Sequence, residues 1–360
     1  MNKKLLASAI GVALAGAMAT GAANADVKIY GKIHSSYDFY SSSNTSYACD
    51  TGTCTDSSGS ALSNNAWRIG FKGSEDIGGG NAFIWQVENS LNPNGSSGSW
   101  AGRNTFAGFR GGWGTFLAGR HDSPIKMADT HVMPWNDTVG DSRNLLGSSS
   151  SGGSNLINQR FSRVLAYMTP SFNGFTGMAV WVGNNNASNP SNTKAGGWDL
   201  AGNYKNGPIN AWLAYEKQFS DVSNSDLKAW RLSGSYDFAP FKVGGIYEDL
   251  SADSGYGLRA DRSAWGLFGK MGMGMNSFGL AYYKANSSSV TGGNDGADQW
   301  VINATHKFSK TTNVYAQYAK LSNDNNASFH LGNGGHGENI PGANAGDSPS
   351  AFSVGFIHHF

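Results

Sequence analysis

Hydrophobic and polar residues alternate with a period of two through most of the chain. In residues 27–40, one side of an extended segment carries Val27, Ile29, Ile33, Tyr37 and Phe39, and the other carries Lys28, Tyr30, Lys32, His34 and Asp38. A period of two is typical of β-strands whose two faces have different surroundings. The pattern predicts sixteen strands, near residues 27–40, 66–74, 83–88, 103–110, 114–121, 160–169, 175–184, 197–205, 209–219, 228–238, 241–250, 262–271, 277–285, 297–308, 312–321 and 350–360.

The connections between these strands alternate in length. One set is tight and contains hairpin dipeptides such as Gly111-Gly112, Asn173-Gly174 and Asn206-Gly207. The other set is long and polar, and consists of residues 41–65, 93–102, 122–159, 185–196, 220–227, 251–261, 286–296 and 322–349. Short periplasmic turns and long extracellular loops are typical of a transmembrane antiparallel β-barrel. The alternation therefore predicts an all-β barrel of sixteen strands whose last strand pairs with its first.

The predicted inner face carries too much charge for a dry core. Its bases are Lys28, Lys32, Arg68, Lys72, Arg103, Lys205, Arg231, Lys242, Arg262, Lys270 and Lys307, and its acids are Asp38, Glu88, Asp199, Glu216, Asp237 and Glu248. Unpaired buried charges cost several kcal/mol each, so a soluble core could not hold this set. A barrel of sixteen strands is wide enough to enclose water. The charge pattern therefore predicts an aqueous lumen.

The two ends of the sequence carry different signals. Residues 1–25 combine an N-terminal Lys pair, a short apolar run and a small-x-small site before Asp26, which is typical of a secretory signal peptide. Residues 26–360 are predicted to form a single barrel domain. That part has 24 basic and 25 acidic residues once Lys3 and Lys4 are removed from the 26 bases, so nothing indicates nucleic-acid binding.

The only two cysteines, Cys49 and Cys54, lie in the segment C-D-T-G-T-C. Export to an oxidising compartment favours a small disulfide ring between them. A metal site is the weaker interpretation, because the segment offers too few ligands. We expect no metal and no cofactor.

Three segments resemble strands of the general diffusion porins of the Gram-negative outer membrane. They are Y-G-K-I (30–33), W-R-I-G-F-K-G-S-E-D (67–76) and G-R-N-T-F-A-G-F-R-G (102–111), which are similar to the first, second and fourth strands of that family. The terminal strand 350–360, ending in Phe360, is also similar to the family's closing strand. The resemblance implies a trimer of barrels, a third long loop folded into the lumen, and a role for Phe360 as an assembly signal.

The resemblance also implies where the pore is narrowest. Carried over by position, the basic side of the constriction is Lys32, Arg68 and Arg103. The acidic side is the third loop, 122–159, with Asp122, Asp129, Asp137 and Asp141. These aspartates could instead simply solvate a surface loop. The family's further arginine has no clear counterpart, and Arg160 or Arg163 could substitute for it.

Arg120 has outward parity at the end of its strand. It could lie at a contact between subunits, or in water if the strand has already ended.

The function expected from these features is a passive outer-membrane channel for small hydrophilic solutes and ions, with a weak preference for anions. Its expected surroundings are the lipid and lipopolysaccharide of the outer membrane and two further copies of the chain. One alternative is a substrate-selective channel, although the inward aromatic residues are too scattered to indicate one. Another is a barrel enzyme, although no G-x-S-x-G or comparable grouping appears. A third is an adhesin acting through loops 41–65 and 322–349.

Overall fold

The computed structural model describes residues 26–44, 57–93, 100–150, 155–183, 196–219, 226–252, 261–289, 293–337, 340 and 344–360. The predicted signal peptide and the predicted Cys49–Cys54 disulfide lie outside these residues and stay predictions. Within them there are seventeen strand segments: β1 (Asp26–Asn44), β2 (Ser57–Asn64), β3 (Arg68–Gly78), β4 (Asn81–Ser90), β5 (Thr105–Gly111), β6 (Gly114–Asp122), β7 (Arg160–Met168), β8 (Phe175–Val182), β9 (Gly196–Asn206), β10 (Ile209–Phe219), β11 (Leu227–Phe238), β12 (Phe241–Ala252), β13 (Arg262–Met273), β14 (Asn276–Ala285), β15 (Ala297–Lys307), β16 (Thr312–Asn323) and β17 (Asp347–His359).

The strands close into one antiparallel barrel. From β3 to β17 each strand pairs with the next along the chain, and β17 pairs back onto β1 in a register that runs from Lys32–His359 to Asn44–Asp347. Beyond that register, the N–H of Gly31 donates to the carbonyl of Phe360 at 2.9 Å. Closure leaves no free sheet edge, so every strand finds backbone partners on both sides. The predicted barrel is confirmed.

Two of the segments, β2 and β3, are halves of one broken strand. Both segments pair with β1: β2 pairs with residues 35–42 and β3 pairs with residues 26–32. The barrel therefore has sixteen strands. At the break, the N–H groups of Asn65 and Ala66 both donate to the carbonyl of His34, at 3.0 and 3.2 Å. The prediction that residues 57–64 belong to a loop was wrong. Their Ser- and Gly-rich sequence lacks hydrophobic alternation, and cross-strand pairing with β1 supplies the order instead.

Burial alternates along the strands as the pattern predicted. On β17, Val354 is 48% exposed on the outer face, whereas its neighbour Ser353 is fully buried on the inner face. Near the long-loop ends of the strands, Trp and Tyr rings pack side by side on the outer face. These contacts join Trp198 with Tyr215, Trp230 with Tyr247, Trp265 with Tyr282, and Tyr282 with Trp300. Such a row matches the aromatic belt of a membrane interface.

The hydrophobic core lies inside the barrel, where inward-folded segments pack against the wall. One of these segments is the loop between β6 and β7. That loop contains the helix α1 (Pro124–Thr130) and a 3₁₀ turn at Ser142–Asn144. Its apolar side chains are fully buried against the wall, as shown by Ile125, Leu145, Leu146 and Ile157. None of the helices in the described residues is long and apolar enough to cross a membrane.

Candidate functional site

The loop between β6 and β7 folds into the lumen and is fixed to the barrel wall. We call residues 123–159 the constriction loop; the structure describes 123–150 and 155–159 of it. Arg231, wholly buried on β11, donates to the carbonyl of Ile125 at 2.7 Å and to Asn158 Oδ1 at 2.9 Å. The same guanidinium is held by Glu248 of β12 at 2.5 Å. The buried ion pair thus anchors both ends of the loop at once.

The middle of the constriction loop is held by amide side chains of the wall. Gln317 of β16 accepts from the N–H of Gly140 at 2.9 Å. Asn144 donates to Gln299 of β15 at 3.2 Å. These contacts carry the loop from β11 around the inner wall to β16, so that its acidic turn faces β1 and β3. The predicted inward fold of the third loop is therefore what the structure has.

A second loop also folds inward, although its sequence was expected to form one of the long extracellular loops. We call residues 324–346 the mouth loop; the structure describes 324–337, 340 and 344–346. Asn333 donates to Ser148 of the constriction loop at 2.6 Å, and Gly334 N–H donates to Asn144 at 2.9 Å. His336 lies 2.9 Å from Asp38 of β1. The mouth loop therefore links the constriction loop to the opposite wall.

These elements enclose a cavity of about 530 Å³ inside the barrel. Its lining comes from β1, β3, the ends of β2, β4, β6, β7 and β17, the segment before β5, the constriction loop and the mouth loop. Among the described residues, its charged lining consists of the bases Lys32, Arg68, Arg103, Lys126, Arg143 and Arg160 and the acids Asp122 and Asp137, and His359 also lines it. The bases therefore exceed the acids by four.

Asp137 is the centre of one charge cluster in this cavity. Its carboxylate lies 3.1 Å from Lys32 Nζ, 2.9 Å from Arg68 Nη2 and 3.3 Å from Arg143 Nη2. Burial alone would raise the pKa of Asp137, but these three cations hold it well below its usual range. Asp137 is therefore ionised at every physiological pH. Its backbone has φ +64°, a conformation uncommon outside glycine, so tertiary contacts hold it in place.

Asp122 is the centre of a second cluster. Its Oδ1 lies 2.8 Å from Lys126 Nζ and 2.9 Å from Arg160 Nη2. Burial lowers the pKa of Lys126 to about 8, and the neighbouring carboxylate only partly offsets this. Beside this cluster, Arg103 contacts Glu88 of β4 at 2.5 Å. Each of the two carboxylates that line the cavity thus forms ion pairs with two or more bases.

The structure brings together five of the seven residues that the resemblance implied: Lys32, Arg68, Arg103, Asp122 and Asp137. Asp129 and Asp141 are fully buried and do not line the cavity, so the expectation for these two has to be corrected. Asp129 accepts from Ser142 Oγ at 3.0 Å. Asp141 caps the 3₁₀ turn by accepting from the N–H of Arg143 at 2.9 Å and also accepts from its guanidinium. Both carboxylates therefore fold the loop.

Three bases of the cavity were missed or left open. Arg160 reaches Asp122, whereas Arg163, the other candidate, is exposed with φ +58°. Lys126 could have been found from its spacing, since it follows Asp122 by four residues at a helix start. Arg143 gave no such signal, because it lies in an irregular loop with no periodicity. Arg120 points outward on β6, which continues past it, and its guanidinium donates to Ser162 Oγ at 2.6 Å.

A closed barrel with an aromatic belt, an apolar outer face and a charged cavity defines a transmembrane β-barrel protein of the outer membrane. A family model described as Gram-negative porin matches residues 9–326, and the chain belongs to that family.

Individual relatives agree with this. Major outer membrane protein P.IB of Neisseria sicca is 28% identical over 322 residues, which cover 81% of this chain and 88% of that protein. The same-named protein of Neisseria gonorrhoeae is 31% identical over 195 residues, 54% of this chain and 52% of that protein. The chain thus matches only about half the length of several curated relatives. An anion-selective porin from Comamonas acidovorans has a similar fold, with a TM-score of 0.73 at 22% identity, covering 94% of this chain and all of that one.

Proposed function

We propose that this chain forms a water-filled channel through which small hydrophilic solutes and ions cross the outer membrane by passive diffusion, with a weak preference for anions. The observation that carries the proposal is the charged cavity between the constriction loop and the wall of β1 and β3. Six bases and two acids line it. Such a lining favours water and ions over apolar solutes.

The preference for anions follows from how the charges are shared. The single charge of Asp137 is shared by Lys32, Arg68 and Arg143, of which Arg143 also contacts Asp141. It therefore offsets no more than one of the two charges of Lys32 and Arg68. The single charge of Asp122 is likewise shared between Lys126 and Arg160. The low-dielectric walls of a narrow passage focus the field of the remaining bases. Because salt screens charges over about 10 Å at 0.1 M, we expect the preference to decrease as salt rises.

We further propose that three copies assemble side by side in the membrane, among lipid and lipopolysaccharide. The outer faces of the first and last strands offer apolar surface for this contact: Val27, Ile29 and Phe39 of β1 and Phe352 and Phe356 of β17 are each more than two-fifths exposed. A single mass in mild detergent, corresponding to one chain, would contradict the trimer and leave the channel proposal intact.

The alternatives find less support. The family description is that of a porin rather than an enzyme. The adhesin alternative named loops 41–65 and 322–349, and the described part of the mouth loop within the second folds into the barrel, where Phe329 and Leu331 are fully buried. No specific observation among the described residues favours a substrate-selective channel.

The test is the reversal potential of the channel in planar bilayers under a KCl gradient. We expect a weak anion preference. Arg68→Ala and Arg103→Ala should each move the reversal potential toward cations and leave folding intact. Lys28→Gln serves as the control, because Lys28 is exposed at the rim and is already paired with Asp26 at 3.2 Å. A clear cation preference of the native channel, or arginine variants that behave like the control, would contradict the proposal.

A further inference from the structure

Three lysines lie on the inner face near the short-turn rim, away from the cavity described above. Lys242 is on β12, Lys270 on β13 and Lys307 on β15. Their inward direction follows from the burial pattern, since Ile246, Phe268 and Val301 share their parity and are buried. They therefore line the lumen on the side through which a solute would leave the barrel.

Two of these lysines lie directly side by side. Lys242 and Lys270 are direct register partners on adjacent strands. Like charges in that position destabilise a sheet. Lys307 lies at the same rim, at the end of β15, two strands along the barrel from Lys270. Across the residues that the structure describes, no ion pair joins any of the three to an acid, although Asp237 lies opposite Lys242 in register.

A second lysine pair at the same rim is different. Lys28 and Lys72 are also register partners with inward parity. Lys28, however, is paired with Asp26 at 3.2 Å, and the ammonium of Lys72 lies over the ring of Tyr30, 5.0 Å from its centroid. Each of these charges thus has a local partner. In the part of the chain that the structure describes, the lysines of β12, β13 and β15 show no such local partner.

The constriction loop connects this lysine cluster with the cavity above. The indole of Trp135 covers Gly279, the register partner of Lys270, so closely that a Cβ there would lie 2.6 Å from the ring. The same Cβ would lie 3.0 Å from the stem of Lys270. Trp135 therefore lies beside the side chain of Lys270. In the chain, Trp135 precedes Asp137 by two residues. An anion that passes the constriction meets the lysine cluster directly below the loop.

We propose that Lys242, Lys270 and Lys307 form a second anion-binding site, which takes multiply charged anions of the oligophosphate class in preference to chloride. Two adjacent ammonium groups and a third nearby can contact several charges of one extended anion at once. A monovalent ion can neutralise only one of them. The inference rests on the proposed channel, since the site is reached only through an aqueous lumen.

The experiment is block of single-channel current by sodium tripolyphosphate, added in turn to each side of the bilayer. We expect native channels to be blocked at lower concentration from one side, the side of the short turns. Lys270→Gln and Lys242→Gln should each raise the half-blocking concentration about fivefold, the loss expected for one contact between exposed opposite charges. Chloride conductance at high salt should change little.

The matched control is Lys28→Gln combined with Lys72→Gln, which removes two charges at the same rim. We expect it to leave the half-blocking concentration unchanged. An equal shift in the control and in Lys270→Gln, or no shift in either, would overturn the second site while the channel itself still conducts. Absence of any conductance in the native protein would instead overturn the channel proposal, so the two failures are distinguishable.

Discussion

Gly31 and Phe360 join the two ends of the barrel by reciprocal backbone hydrogen bonds. The N–H of Gly31 donates to the carbonyl of Phe360 at 2.9 Å, and the N–H of Phe360 donates back at 3.2 Å. The ring of Phe360 lies over the Cα of Gly31, where any Cβ would overlap it. A glycine is therefore needed at position 31 for the terminal aromatic ring to lie flat on the first strand.

Gly31→Leu should lower the folded fraction of the barrel, because the new side chain displaces the Phe360 ring. Overpacking of this kind typically costs about 1–3 kcal/mol. The control is Gly202→Leu, at a glycine on the outer face of β9 where a Cβ meets nothing within 4 Å. The measurement is the fraction of heat-modifiable barrel after refolding in detergent. Equal yields for the two variants would contradict the role of this contact.

Phe360→Asp should impair assembly more than Gly31→Leu does. The ring is half-exposed on the outer face, where a membrane would surround it, and a carboxylate there is costly to transfer into an apolar region. Phe360→Leu, which keeps an apolar side chain, is the matched control. Normal amounts of folded Phe360→Asp barrel in the outer membrane would disprove the predicted assembly signal.

Asp137→Asn should increase the anion preference of the channel. The change removes one of the two acids in the cavity, so the surplus of bases rises from four to five. Asp129→Asn provides the comparison, because that carboxylate is fully buried within the loop and bonds to Ser142. Reversal potentials under a KCl gradient should move for the first variant and stay nearly constant for the second. The opposite ranking would show that the two aspartates have been assigned to the wrong places.

The anion preference should fall as pH rises through about 8. The ammonium of Lys126, whose pKa burial lowers to about 8, is charged below this pH and neutral above it. Its deprotonation removes one of the six positive charges of the cavity. Reversal potentials recorded from pH 6.5 to 9.5 should therefore move toward zero with a midpoint near 8. In Lys126→Gln this step should be missing, and a step that persists in the variant would assign the titration to another group.

Arg231→Met should loosen the constriction loop without opening the barrel. The substitution removes the donors to Ile125 and Asn158 and leaves Glu248 buried without its partner, a change that typically costs about 3–5 kcal/mol. We expect larger and noisier single-channel currents from a barrel that still resists heat in detergent. Adding Glu248→Gln should restore part of the stability but not the loop contacts. A quiet channel of native conductance in Arg231→Met would show that the anchor is dispensable.

The strands could be predicted from the sequence because a single rule governs them. In β17, for example, Phe352 and Val354 face outward and Ser353 inward, and this alternation follows directly from the two-residue period. Hairpin dipeptides such as Asn206-Gly207 then fixed where strands reverse. Among the strands that the structure describes, β2 alone was not predicted, because its serines and glycines carry no alternation and its order comes from pairing with β1.

Parity could predict the site only where it lies on strands, and Asp137, in an irregular loop, was reached through the family resemblance instead. The inward direction of Lys32 and Arg68 follows from parity, and both residues line the cavity. The positions of Asp129 and Asp141 could not be predicted in this way, because direction within an irregular loop depends on tertiary contacts, here with Ser142 and Arg143. The inward fold of the mouth loop could not be predicted for the same reason. Its buried Phe329 packs under the guanidinium of Arg262. No local sequence pattern encodes such a long-range contact.

The register between β1 and β17 also has a kinetic meaning. Lys32 and His359 are partners although they lie near opposite ends of the chain, so the barrel cannot close until the last strand is available. Contacts so distant in sequence form slowly, and until they form both edges of the sheet can pair with other chains. A chain truncated anywhere before residue 347 would keep those edges permanently. Such a fragment should aggregate or be degraded rather than insert as a smaller barrel.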